Sequence, residues 1–149
     1  MEKQLGRLDE HILGSSGSNY SQVFLEHALK PKNAGNLHGA NGFAAVEGHD
    51  GSSMEVWLKV SNDTIEQASF WTDGCGTTIA CGSMATGMAK GKSVVAALNL
   101  VPADIESALG GLPGEGCVCA ELAVSALKAA IRDYLQYKKD PWKRKYRRI

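Results

Sequence analysis

Three short stretches of this chain carry residue types that can do chemistry. In the first, Cys75 stands between Gly74 and Gly76, where a strand-like run ends and a helix-like run begins. A thiolate there meets the positive end of a helix dipole and free backbone N–H groups. Both lower a thiol pKa and suit a metal ligand or a sulfur nucleophile. The flanking glycines permit a sharp turn and the close approach of a ligand. In the second, Cys117 and Cys119 open the last helical stripe as a C-x-C pair, after a glycine-rich loop at 110–116. A disulfide between them would close a very small, strained ring. In the third, His49 and Asp50 lie in the polar loop Glu47–Ser53. Thiolates suit zinc and iron–sulfur clusters, and a carboxylate or imidazole can complete a tetrahedral shell. A C-x5-C with a distant C-x-C is no standard zinc finger, so spacing alone does not choose among these uses.

Other candidates have plainer readings. Cys81 lies six residues past Cys75, about 9 Å further along a helix and on another face. Its neighbours are small and apolar, which makes it a core thiol first and a ligand second. His27 falls on an apolar helix face and reads as a hydrogen-bonded structural histidine. A dyad of His49 and Asp50 is disfavoured, because adjacent residues of an extended chain point apart.

The elements that must position these residues follow from periodicity and punctuation. A helix is expected from Asn19, with Gln22 at capping-box spacing, an apolar face of Val23, Phe24, His27 and Ala28, and Pro31 as its stop. A short strand is expected over Phe43–Val46. Met54, Val56, Leu58 and Val60 alternate with polar or larger residues as a half-buried strand. Ser61-Asn62-Asp63 is a hairpin loop, and Ile65–Thr72 the return strand. Gly76–Lys90 reads as a helix weakened by Gly82 and Gly87, which allow close packing on the sheet, with Gly91 past its end. Short helices follow at Ser93–Leu98 and Pro102–Leu109. A long one runs from about Cys117 to Tyr137, with an apolar stripe through Ala120, Ala123, Val124, Leu127, Ile131 and Tyr134. The class is α+β, a small antiparallel sheet of about three strands with helices packed on it. Each reactive stretch then sits just before an element whose apolar face seeks the common core, which can gather the three tips.

Composition narrows the setting. The chain has 149 residues and is 44% hydrophobic, enough for one domain with a real core and no disulfide staples. Its net charge of zero hides an asymmetry. From Lys138 to Ile149 four Lys and three Arg face one Asp, a local +6, so the other residues sum to −6. Residues 1–18 read as a flexible leader ending in Gly14-Ser15-Ser16-Gly17-Ser18, residues 19–138 as the folded domain, and 139–149 as a basic tail. The tail interleaves Trp142 and Tyr146 with cations, but charge runs usually face water or an acidic partner, so nucleic acid is not the expected ligand. Glu2, Asp9 and Glu10 replace the apolar region of a signal peptide, and no run has the length of a membrane span. The expected setting is a reducing cytoplasm, where clustered cysteines mean metal or redox chemistry.

Four ordered blocks give a resemblance. Tyr20-Ser21-Gln22-Val23 with Glu26-His27 and Pro31-Lys32-Asn33-Ala34-Gly35, then Asp73-Gly74-Cys75-Gly76-Thr77-Thr78-Ile79-Ala80, then Lys90-Gly91-Lys92-Ser93, then Cys119-Ala120-Glu121-Leu122-Ala123, together resemble the IscU/NifU-type iron–sulfur cluster assembly scaffolds. The resemblance covers about residues 19–138. It implies a non-enzymatic scaffold that assembles a [2Fe-2S] cluster and passes it on, or in zinc-bearing members a protein that accepts sulfur. A third class is a degenerate relative that acts as a regulatory binding protein. The implied partners are a cysteine desulfurase, a donor of iron and electrons, and acceptor apoproteins, with a homodimer as a further option.

This chain departs from the family pattern at informative places. The family's first cysteine falls on Asp50, its nearby aspartate on Ser52, and the histidine before its third cysteine on Val118. The proline-rich loop that chaperones recognise is replaced by Leu112-Pro113-Gly114-Glu115-Gly116, which argues against dedicated chaperone delivery. Cys75 and Cys119 match the family's cysteines, whereas Cys81 and Cys117 are additions. The expected ligand set is Cys75, Cys119 and Cys117, with Asp50 or Cys81 as the fourth. A carboxylate in that shell is a harder, weaker ligand that favours cluster release, and an all-cysteine shell holds the cluster more firmly.

Overall fold

The computed structural model describes residues 21–48, 51–112 and 116–139, with 116 and 117 described in backbone only. The leader at 1–18, Asn19, His49, Asp50, the side chain of Cys117 and the tail beyond Lys139 lie outside the described residues.

Helix α1 runs Gln22–Leu29. Its N-cap is Ser21, whose hydroxyl accepts from Phe24 N at 2.9 Å, so the expected opening at Asn19 moves two residues inward. Both residue types cap well, and the backbone conformation at Ser21 decides. Phe24 and Ala28 are buried, while Val23 is 40% exposed and leaves the expected apolar face. The helix ends at Lys30, just before Pro31.

Three antiparallel strands follow in the order β1 (Gly42–Glu47), β2 (Ser53–Ser61) and β3 (Thr64–Thr72). Asn62 and Asp63 both take positive φ, at 52° and 59°, and make the two-residue hairpin whose twist matches the flanking strands. Met54, Val56, Leu58 and Val60 bury one face, as the alternation requires. The sheet edges are partly occupied. On β1, Phe43 N donates to the Asp133 carboxylate at 2.9 Å. On β3, Phe70 N donates to the Asn33 carbonyl at 2.9 Å, and Gly35 N to the Phe70 carbonyl at 2.9 Å. At the other end of β3, Ile65 N donates to the Lys92 carbonyl at 2.8 Å and Gly91 N to the Ile65 carbonyl at 2.7 Å.

Four helices complete the α+β fold: α2 (Gly76–Ala89), α3 (Val94–Leu98), α4 (Pro102–Ala108) and α5 (Gly116–Lys139). Helix α5 lies on β1 and β2 through Ala120, Ala123, Leu127, Ala130 and Ile131, all fully buried. The approach is close enough that a Cβ on Gly42 would sit 2.8 Å from the Ala130 carbonyl. Near the other end of α5, Tyr134 Oη donates to Asp63 at 2.9 Å and Lys138 Nζ pairs with it at 2.8 Å, which ties the helix to the β2–β3 turn. Among the described residues no helix is long and apolar enough to cross a membrane.

Helix α2 positions the chemistry, and its two interior glycines have different roles. A Cβ on Gly82 would lie 2.5 Å from the Phe70 ring and 3.1 Å from Met54 Cε. Only a glycine lets the helix sit this low on the sheet. Gly87 has nothing closer than Asn33 Nδ2 at 3.9 Å and is exposed. Close packing therefore rests on one of the two glycines. Gly82→Ala is expected to destabilise the fold by about 1–3 kcal/mol through overpacking. Gly87→Ala is expected to stabilise it by about 0.5–1 kcal/mol through lower unfolded-state entropy. Urea denaturation of the two variants measures the opposite signs.

Candidate functional site

The turn between β3 and α2 presents Cys75 as the N-cap residue of α2, with extended backbone at φ −77° and ψ −177°. Three short bonds hold this turn. Thr72 Oγ1 donates to the Ser53 carbonyl at 2.7 Å, Gly74 N donates to Thr72 Oγ1 at 3.1 Å, and Ser53 N donates to the Asp73 carboxylate at 2.8 Å. They also fasten the start of β2, so the loop before it is drawn to the same place. That loop is closed by Gly48 N donating to the Ser52 carbonyl at 2.7 Å. Residues on both sides of the His49-Asp50 pair are thereby placed, while the pair itself lies outside the described residues.

Helix α5 delivers Cys119 to this turn. The Thr78 hydroxyl donates to Cys119 Sγ at 3.3 Å, and the same oxygen lies 3.8 Å from Cys75 Sγ. Cys75 is exposed and Cys119 half-buried, and both are free thiols. The two sulfurs share a proton unequally. The Cys119 thiol donates to Cys75 and pulls its pKa from 9.0 to about 4 against partial burial. The Thr78 amide, the Thr78 hydroxyl and the Thr77 amide assist. By strict geometry no backbone N–H closes a capping bond to the sulfur, so these amides act through their positive field at the helix end. Cys119 moves the opposite way, far upward, because it holds the shared proton and is half-buried. At neutral pH the pair is thus one thiolate and one thiol.

Cys81 lies elsewhere. It is fully buried in the core on α2, and burial, with the charges at Cys75 and Glu106 adding to it, pushes its thiol up to about 12. His27 Nδ1 meets Ser83 Oγ at 2.6 Å, and Lys32 N donates to the same hydroxyl at 2.9 Å, which makes His27 a tie between α1 and α2. Among the described residues no group of three Cys, His, Asp or Glu side chains is arranged to hold a metal ion. The described site is the Cys75–Cys119 pair. A cleft of about 90 Å³ runs between the end of β1 and the start of α5, lined by Val46, Glu47, Gly48, Val118, Glu121, Leu122 and Ser125, and neither cysteine of the pair lines it. Sequence reasoning missed Thr78, whose hydroxyl lies against both sulfurs. The signal was present, since a residue three past Cys75 on a helix shares its face.

Residues 19–141 match the NifU-like N-terminal domain. The chain belongs to that family. It is 44% identical over 119 residues to an iron–sulfur cluster assembly scaffold protein IscU of Aquifex aeolicus, covering 78% of this chain and 76% of that one. It is 39% identical over 119 residues to a nitrogen fixation protein NifU of Azotobacter chroococcum, covering 78% of this chain but only 38% of that protein. In structure it resembles the N-terminal part of a nitrogen-fixing NifU-like protein from Brucella abortus, with a TM-score of 0.58, 18% identity, and 78% and 94% of the two chains covered.

The shared proton gives a pH prediction. Because the Cys75 pKa is depressed, its thiolate persists above about pH 4 and is lost as pH falls through that value. Iodoacetamide should therefore modify Cys75 in metal-free protein at pH 6, where an ordinary thiol of pKa about 8.5 is almost wholly protonated. Cys119→Ala removes the largest cause, so the midpoint of the alkylation profile should move upward. Peptide mass spectrometry of the modified protein reads both.

Proposed function

We propose that this protein is a scaffold on which an iron–sulfur cluster is assembled and from which it is passed to acceptor proteins. The observation that carries the reading is the Cys75–Cys119 pair, two sulfurs brought together from the starts of two different helices within a NifU-like domain. The similarity to proteins named IscU scaffolds supports it.

The cluster is cargo, and the site is suited to hold it lightly. Cys75 supplies a thiolate at neutral pH without prior deprotonation, and Cys119 follows as its proton leaves. Cys117 and Asp50 complete the ligand set in this reading, for a [2Fe-2S] cluster. Support for Asp50 over Cys81 comes from burial. The loop around Asp50 is fastened to the Cys75 turn, whereas Cys81 would have to leave the core to ligate. A carboxylate ligand weakens the shell and favours release. The implied partners are a cysteine desulfurase, a donor of iron and electrons, and acceptor apoproteins, in the cytoplasm where thiols stay reduced.

A second reading has support at one atom. The exposed thiolate of Cys75 is also suited to accept sulfur from a desulfurase, with zinc in place of the cluster.

Anaerobic reconstitution with a cysteine desulfurase, cysteine and ferrous iron tests these assignments. Wild type should gain visible charge-transfer bands, iron and acid-labile sulfide. Cys75→Ala and Cys119→Ala should each lose most of the sulfide. Asp50→Ala should change the spectrum and lower occupancy, while Cys81→Ala should match wild type. Loss in Cys81→Ala with Asp50→Ala unaffected would reverse the fourth-ligand assignment. Stoichiometric zinc without sulfide would favour the sulfur-acceptor reading.

A further inference from the structure

Helix α2 contains two buried threonines, Thr78 and Thr86, whose hydroxyls behave differently. Thr86, fully buried, folds its hydroxyl back on its own helix and donates to the Gly82 carbonyl at 2.8 Å and the Ser83 carbonyl at 3.1 Å. That is the ordinary behaviour of a threonine inside a helix. Thr78 is equally buried, at 1% exposure, yet turns its hydroxyl to Cys119 Sγ at 3.3 Å and lies 3.8 Å from Cys75 Sγ. The turn has made room for it. A Cβ on Gly74 would meet the Cβ and Oγ1 of Thr78 at 2.7 Å, so any side chain at 74 would displace the hydroxyl. Gly74 has no positive φ, and its glycine is required by this contact rather than by its backbone.

We propose that Thr78 is a positioning residue for the metal-binding pair: its buried hydroxyl lies against both sulfurs, and its single proton, donated to Cys119, offsets part of the charge that builds up when both become thiolates. The proposal rests on the scaffold reading for its use, but not for its geometry. Two thiolates held side by side repel, and a fixed O–H dipole between them lowers that cost. The hydroxyl is fixed from two sides, by the packing of α2 on the sheet and by the fit against Gly74, so it is in place before a metal arrives. Its effect grows with the charge on the sulfurs. It therefore acts more strongly on a reduced cluster than on an oxidised one, which raises the reduction potential.

Two measurements on the full-length protein test this. In the first, cobalt(II) is titrated into reduced, metal-free protein and the sulfur-to-cobalt charge-transfer band is read. Thr78→Val keeps the shape and removes the hydroxyl. It should weaken cobalt binding about tenfold, the size of one charge-assisted hydrogen bond. Thr78→Ser should restore it, and Gly74→Ala, which retains the hydroxyl but displaces it, should weaken it as Thr78→Val does. Circular dichroism reports the fold, and Thr78→Ala repeats the comparison if Thr78→Val disturbs it. In the second, the reduction potential of the reconstituted cluster should shift negative in Thr78→Val and return in Thr78→Ser. Equal cobalt affinity in wild type and Thr78→Val, or no thiolate band in wild type, overturns the proposal. Failure of wild type to take up a cluster, with the cobalt differences intact, overturns the scaffold reading and leaves Thr78 in this role.

Discussion

The contact between Gly82 and the Phe70 ring sets the position of everything chemical in this domain. It lets α2 lie against the sheet at a depth that any side chain at 82 would forbid. The N-terminus of that helix carries Cys75 and, one turn in, Thr78. A helix lifted by even a methyl group would carry both away from Cys119, which arrives on α5. The second helix is located by the same device, with Gly42 seated under the Ala130 carbonyl. Two glycine contacts on one sheet face therefore determine how far apart the two sulfurs sit.

The fold was largely legible because its signals are local. Alternation through Met54–Val60, the Asn62-Asp63 turn and the stripe from Ala120 to Tyr134 each name an element without reference to the rest. The errors lay where two local signals compete or where distance in sequence hides a contact. Asn19 and Ser21 are both good caps, and only the backbone path chooses between them. Gly82 and Gly87 look alike in sequence, but only one faces a ring from another element.

The site was legible in part for the same reason. Cys75 announced itself through its glycines, and Cys119 through its place at a helix start. Their coupling spans more than forty residues, and no periodicity reports it. Thr78 was hidden by its ordinariness, since a threonine in the first turn of a helix needs no explanation until its hydroxyl is seen to ignore the helix. The unequal sharing of a proton between Cys75 and Cys119 likewise belongs to neither residue's local sequence. It arises only when two helix starts meet.

The occupied edges of the sheet bear on how other proteins can meet this one. β3 has its backbone groups engaged at both Ile65 and Phe70, and β1 is tied at Phe43. A partner that recognises its target by adding a strand needs a run of consecutive free amides and carbonyls. On β3 the two ties leave only residues 66–69 between them, with Trp71 and Thr72 beyond. Strand addition along β3 is thereby limited to short runs. Among the described residues, the loops and helix starts at the thiol end carry no such main-chain ties to a sheet edge, and the two sulfurs stand there at the surface and just below it.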